Sequence, residues 1–282
     1  MVKRVLNNII NFSSQLILRI KQDRCTRHAA ALSFSSLLAL APLLAIAFSL
    51  FSVFAPLESM AENLEDFIYQ YLVPDANLNI KEYLNQFTEQ AGKLTAFGLL
   101  AFLLTAVVLL YNIEESLNTI WRSKMRRKLV QRFSIYWTLL TLGPLLMGAG
   151  LSLSTYALSL NVLDKLDQIV SIKLFLLKFL PTFFGFLAFS LLYIIMPNKE
   201  VKWRHALTGG VIASILFEIT KRLFALFIIN FNNYEIIYGA LATLPIFLIW
   251  IYLSWIVTLI GAEITALLDD NSLEKMNSAI VD

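Results

Sequence analysis

Six apolar runs, at 29–55, 94–113, 134–157, 172–196, 206–230 and 240–268, constrain this chain more than any other feature. An α-helix needs about 20 predominantly apolar residues to cross the hydrocarbon core of a bilayer, and helices buried in soluble proteins rarely sustain such a run. Composition agrees: 58% of the residues are hydrophobic and 15% charged, against roughly 45–50% and 25% in soluble domains. The expected fold is all-α, a polytopic membrane protein with a bundle of six transmembrane helices. Most connections between runs are too short to hold a second folded unit, so residues 1–282 are expected to form a single domain.

Orientation follows from the basic residues, because Lys and Arg near span ends are retained in the cytoplasm while acidic residues count for little. Lys3, Arg4, Arg19, Lys21, Arg24 and Arg27 precede the first run; Arg122, Lys124, Arg126, Arg127, Lys128 and Arg132 follow the second; Lys199, Lys202 and Arg204 follow the fourth. The loop 56–93 carries seven carboxylates against Lys81 and Lys93, and 231–239 has no Lys or Arg. Both termini, with segments 1–28 and 269–282, are therefore expected in the cytoplasm, and 56–93 in the periplasm of a bacterial inner membrane. No cleavable signal is expected, since the first run is too long for a signal-peptide core and a basic segment precedes it. Cys25, the single cysteine, permits no intrachain disulfide and is expected to be a free thiol.

Two segments outside the runs are amphipathic. Val5, Ile9, Phe12, Leu16 and Ile20 recur at helical spacing, as in a helix lying on an anionic leaflet or packed on the cytoplasmic ends of a bundle. Leu57, Met60, Leu64, Phe67 and Tyr71 mark a helical periplasmic loop. Within the runs, Pro42, Pro144, Pro181 and Pro245 are expected to kink the helices, each freeing a backbone carbonyl that protein or a wet cavity must satisfy. The prolines fall in the outer two helices of each triplet, which fits either ordinary kinking or a pair of inverted repeats.

The strongest chemical constellation is in the fifth run, where Glu218, Lys221 and Arg222 stand at i, i+3 and i+4 and share one face with Ser214. Charges at bilayer depth are expensive and need partners. Two readings stand: a Glu218–Arg222 pair that only pins helices, or a substrate or ion pathway through Ser214, Glu218, Lys221 and Arg222 in which a surplus cation meets an anionic group. Asn112, Glu115 and Glu263, near the cytoplasmic ends of the second and sixth runs, are either interfacial or an inner gate whose carboxylates pair with Arg when closed. Arg122, Lys124, Arg126, Arg127 and Lys128 are set by topology and are expected to touch anionic lipid as well. Catalytic signals are poor. The only histidines are His28 and His205, so no metal site, cofactor or enzyme activity is expected. Gly209-Gly210 follows no strand and reads as close helix packing.

Several of these residues occur in stretches that resemble a known family. They are Ala29-Ala30-Ala31-Leu32-Ser33-Phe34 running on to Pro42, the stretch YNIEESLNTIW ending at Trp121, Phe217-Glu218 with Lys221-Arg222, and Tyr238-Gly239 through Trp250 to Glu263. Together they resemble the YihY/BrkB-like bacterial inner-membrane proteins over nearly the whole chain. The resemblance implies six spans and a part in export of lipid or envelope components. An older family label, ribonuclease, finds no metal-binding set and no soluble domain to hold RNA here, and no nucleic acid is expected as partner. The expected function is a transporter or flippase-like exporter of a lipidic or amphipathic anionic envelope component; the alternative is a non-transporting scaffold for envelope assembly. Membrane lipids, especially anionic ones, are the expected partners, with a second copy of the chain or an envelope protein left open.

Overall fold

The computed structural model describes residues 2–51, 96–123, 127–141, 182–230 and 243–281, with side chains over 10–40, 104–123, 127–141, 182–228 and 244–270. Among them the chain is helical and holds no strand. Seven helices follow in order: α1 (Val2–Gln22), α2 (Cys25–Phe51), α3 (Ala96–Ile120), α4 (129–141), α5 (Thr182–Ile195), α6 (Trp203–Asn230) and α7 (Thr243–Val281). The segment 56–93, expected to be periplasmic, together with Pro144, Pro181, Lys124, Arg126 and the segment 231–239, lies outside the described residues. One described stretch, Leu244–Asp270, is long and apolar enough to cross a membrane, with a mean hydropathy of 2.1; Thr182–Ile195 is apolar but shorter.

Helix α7 organises the fold by packing against α1, α2, α3 and α6. Residues 261–267 are all buried, so this part of α7 is covered on every side. Close approach there requires small residues, and three glycines supply it. A Cβ on Gly209 of α6 would strike the Thr265 side chain and the Gly261 carbonyl; one on Gly261 would strike Tyr193 and Ala213; one on Gly210 would strike Ser190. Gly209-Gly210 is thus a helix-packing element, as its sequence context indicates. With glycine at these points, three backbones approach closely enough for the Tyr193 hydroxyl of α5 to donate to the Thr258 carbonyl of α7, at 2.8 Å.

Helices α2 and α3 pack along a second seam, with Ala29, Leu32 and Ala39 facing Ala106, Leu109, Leu110, Ile113 and Leu117 in one core. The α3 stripe recurs at i+3 and i+4, the helical period. Polar groups stitch the same seam: Asn112 Nδ2 donates to Ser35 Oγ at 2.7 Å, and Trp255 Nε1 of α7 donates to Ser36 Oγ at 2.9 Å.

Two helix ends use arginine where glycine is usual. Arg24, between α1 and α2, and Arg122, after α3, both have φ of 51°. At the end of α3 the Ser123 N–H reaches the Asn118 carbonyl at 2.9 Å and the Arg122 N–H reaches the Thr119 carbonyl at 3.0 Å, the double closure of a Schellman motif with Arg122 in the left-handed position.

Of the expected kinks, Pro42 lies inside α2, which runs on to Phe51. Pro245 sits in the first turn of α7, where its missing N–H costs no intrahelical bond, so it opens a helix. The segment 269–282 does not leave the bundle as a separate tail at once, because α7 continues unbroken to Val281 and Asp269 is buried.

Candidate functional site

Among the described residues the densest polar site lies where α1, α2, α3 and α7 meet. Arg19, on α1, is buried and makes three charge-assisted bonds: Nε to Glu263 at 3.0 Å, Nη1 to Asp270 at 2.7 Å, and Nη2 to the Ile120 carbonyl at 3.0 Å. Glu263 is fully buried and also accepts the Cys25 thiol at 3.4 Å. Lys199, after α5, reaches the other oxygen of Asp270 at 3.2 Å. Burial alone would pull the Arg19 guanidinium down, but the bond to Asp270 and the field of Glu263 outweigh it and hold its pKa above the ordinary value. Burial, reinforced by the Glu263 charge, pushes the Cys25 thiol far up, so Cys25 is a free but unreactive thiol. Of the three residues grouped as an inner gate, Glu263 therefore stands in a closed ionic cluster with an arginine.

The other two behave differently. Glu115 is exposed, whereas its neighbour Glu114 is buried. Glu114 accepts Arg132 Nε at 3.1 Å, Arg132 Nη2 at 3.2 Å and the Tyr136 hydroxyl at 2.6 Å, tying α3 to α4. Asn112 is spent on Ser35, and below it Ser116 Oγ donates to the Asn112 carbonyl at 2.7 Å while lying 3.0 Å from His28 Nδ1. A hydroxyl has one proton to give, so Nδ1 of His28 must be the donor in that contact. Burial lowers the His28 pKa.

The basic run divides as well. Arg127 Nη2 donates to the Ile195 carbonyl at 2.7 Å and the Pro197 carbonyl at 2.8 Å, closing the C-terminus of α5. Arg122 is exposed and lies 3.9 Å from Asp23, and Lys128 is exposed. Arg122 and Lys128 thus stay at the surface, whereas Arg127 Nη2 serves the fold. On the other flank His205 Nδ1 lies 3.0 Å from buried Asp269.

On α6 the four candidate residues occupy one stretch but not one environment. Ser214 is buried and donates to the Thr182 carbonyl of α5 at 2.9 Å. Glu218 accepts Lys221 Nζ at 3.0 Å and the Thr182 hydroxyl at 3.3 Å, and both charged side chains stay partly open, at 23% and 17%. Glu218 thus pairs with Lys221, and Arg222 points outward, exposed. Beside Ser214, an open groove of about 280 Å³ runs between α5 and α6, lined by Thr182, Phe183, Phe186, Val211, Ser214 and Ile215. No group of three or more metal-binding side chains occurs among the described residues.

Sequence reasoning passed over Arg19, Glu114 and Arg132 as site residues. Glu114 was recoverable, because it falls on the stripe of Leu110, Ile113 and Leu117 while Glu115 falls with exposed Tyr111 and Thr119. The Arg19–Glu263 bond joins residues 244 positions apart, and nothing local announces it.

Residues 16–279 match the family model described as Virulence factor BrkB. Similar relatives are membrane proteins designated UPF0761. The one from Alkalilimnicola ehrlichii is 40% identical over 270 residues, 96% of this chain and 61% of that protein. The one from Photobacterium profundum is 41% identical over 273 residues, 97% and 85%, and the one from Nitrosospira multiformis 42% over 268 residues, 94% and 63%. The chain thus spans less than two thirds of the length of some relatives. No solved structure matches it.

Proposed function

The chain belongs to the BrkB family and is a membrane protein, and from that premise we propose that it is a six-span inner-membrane transporter or flippase-like exporter of a lipidic or amphipathic anion, with both termini cytoplasmic. The observation that carries this reading is the state of the charges on α6. Helix α6, a span under this reading, keeps an ion pair, Glu218–Lys221, partly open beside a groove, with a further cation, Arg222, exposed one position on. Charge at that depth is costly unless it serves a pathway or is sealed, and this pair is not sealed.

The Arg19 cluster supports the same reading from the cytoplasmic side. Under the proposed topology it closes the inner ends of spans one, two and six, while the α6 charges stay open further along. The protein would then be closed to the cytoplasm in this conformation, and opening would require Arg19 to leave Glu263 and Asp270. The tight crossing of α5, α6 and α7 at Gly209, Gly210 and Gly261 favours the rival reading, a scaffold, for the inner half of the bundle.

Reconstitution separates them. Proteoliposomes carrying a fluorescent anionic phospholipid in the inner leaflet should expose it to an impermeant quencher faster than protein-free vesicles, and Lys221→Gln with Arg222→Gln should abolish the gain. Equal rates with and without protein would leave the scaffold. Single cysteines at Asn77 and Asn232, in a chain lacking Cys25, should be labelled from the periplasm by an impermeant reagent and one at Lys124 should not.

A further inference from the structure

The groove, the ion pair and the exposed cation lie on one line. Val211, Ile215, Glu218 and Arg222 stand at i, i+4, i+7 and i+11 on α6, and at about 100° per residue these positions fall within roughly 60° of one another. Val211 and Ile215 line the groove, Glu218 holds the hydroxyl of Thr182 that also lines it, and Arg222 continues the stripe beyond. Val211 to Arg222 is eleven residues, about 16 Å along the helix.

The two hydroxyls of the groove are already used: Ser214 gives its proton to the Thr182 carbonyl and Thr182 gives its own to Glu218. What the groove offers an occupant is therefore Phe183, Phe186, Val211 and Ile215, an apolar trough. Its far end is cationic, because Lys221 neutralises Glu218 and leaves Arg222 in surplus. An apolar trough with a cation at one end matches a molecule with an apolar chain and an anionic head. Polarity along the helix sets the orientation. With Trp203 at the cytoplasmic end of α6, Arg222 lies on the outward side of Val211 and Ile215, so the head of an occupant points outward and its chain toward the cytoplasmic half of the span.

We propose that the α5–α6 groove seats an acyl chain of a phospholipid whose anionic phosphodiester headgroup is held by Arg222. This deepens the transport reading and rests on its placing of α6 across the membrane, but binding and transport are separable by experiment.

The probe is phosphatidylglycerol with a photoactivatable diazirine in its acyl chain, given to the full chain in nanodiscs, with the same phosphatidylcholine as the zwitterionic control. Adducts should concentrate on Phe183, Phe186, Val211 and Ile215. Ile215→Trp, which fills the trough, should remove them. Arg222→Gln should leave the adduct positions unchanged and lower the preference for phosphatidylglycerol by about fivefold, the worth of one basic residue near a membrane, and Arg222→Lys should restore it. Arg222 is exposed, so these variants keep the fold. Adducts spread evenly over other exposed apolar side chains such as Phe34, Leu104 and Leu223 would overturn the proposal. So would an unchanged preference in Arg222→Gln, or a disulfide between two chains formed by Val211→Cys, which would make a second copy the occupant. Localised adducts with no lipid movement in the flip assay would keep the seat and sink transport; lipid movement without localised adducts would do the reverse.

Discussion

Replacing Arg19 with Met tests whether the Arg19–Glu263–Asp270 cluster holds the bundle together. The substitution keeps an apolar stem of similar reach and removes three bonds, to Glu263, Asp270 and the Ile120 carbonyl. The bond to Asp270 counts for little in the sum, since that carboxylate is 36% exposed and retains Lys199. Glu263 decides the outcome. Its side chain is fully buried, and only the Cys25 thiol would remain to it. Breaking a buried pair by removing one partner costs about 3–5 kcal/mol, because a charge is left uncompensated. At about 2–4 °C per kcal/mol for a chain of this size, Tm should fall by on the order of 10 °C. The assay is thermal unfolding of the detergent-solubilised protein followed by fluorescence-detected gel filtration. Adding Glu263→Gln removes the stranded charge, so the double variant should recover at least about 2 kcal/mol of the loss. Should Arg19→Met lower Tm no more than Glu115→Gln, a change at an exposed carboxylate, the reasoning fails.

Three further outcomes follow from the packing. Gly261→Val places a branched side chain against Tyr193 and Ala213 and should cost about 1–3 kcal/mol or more by overpacking; a Tm within a degree of the parent would refute the close crossing. Cys25, buried with its thiol pKa far above the ordinary range, should resist maleimide in the folded protein and react at once after denaturation, and rapid native labelling would contradict the burial. His28, whose burial lowers its pKa below the ordinary 6.5, contributes stability that is complete above about pH 6.5 and is lost as pH falls through the lower folded value. Replacing it with Asn, which retains an N–H for Ser116, should flatten the decline of Tm on acidification, and an unchanged profile would exclude His28 as a source of it.

The helical class was legible in the chain because it depends on local quantities: the length of each apolar run, its near absence of charge and the backbone's need to satisfy itself in lipid. Gly209-Gly210 as a packing element was legible for the same reason, since a pair of glycines in an apolar helix has few other uses. Tertiary structure decided between neighbours. Glu114 and Glu115 differ by about 100° around α3, and the apolar stripe marks Glu114 as the inward one, but only the position of α4 gives it Arg132 and Tyr136 as partners. Lys221 and Arg222 are both within reach of Glu218 along the helix, yet the side on which α5 docks gives Lys221 the pair and turns Arg222 outward. Arg19 was legible only as part of a basic, amphipathic helix, a pattern shared by a helix on a leaflet and one packed on a bundle. It packs, although Ile10, Ile17 and Leu18 on the same helix stay exposed. A side-chain period reports which face of a helix is apolar. It carries no information on which distant residue meets that face, and where Arg19, Ile120, Glu263 and Asp270 converge from three helices, that meeting is made by the fold alone.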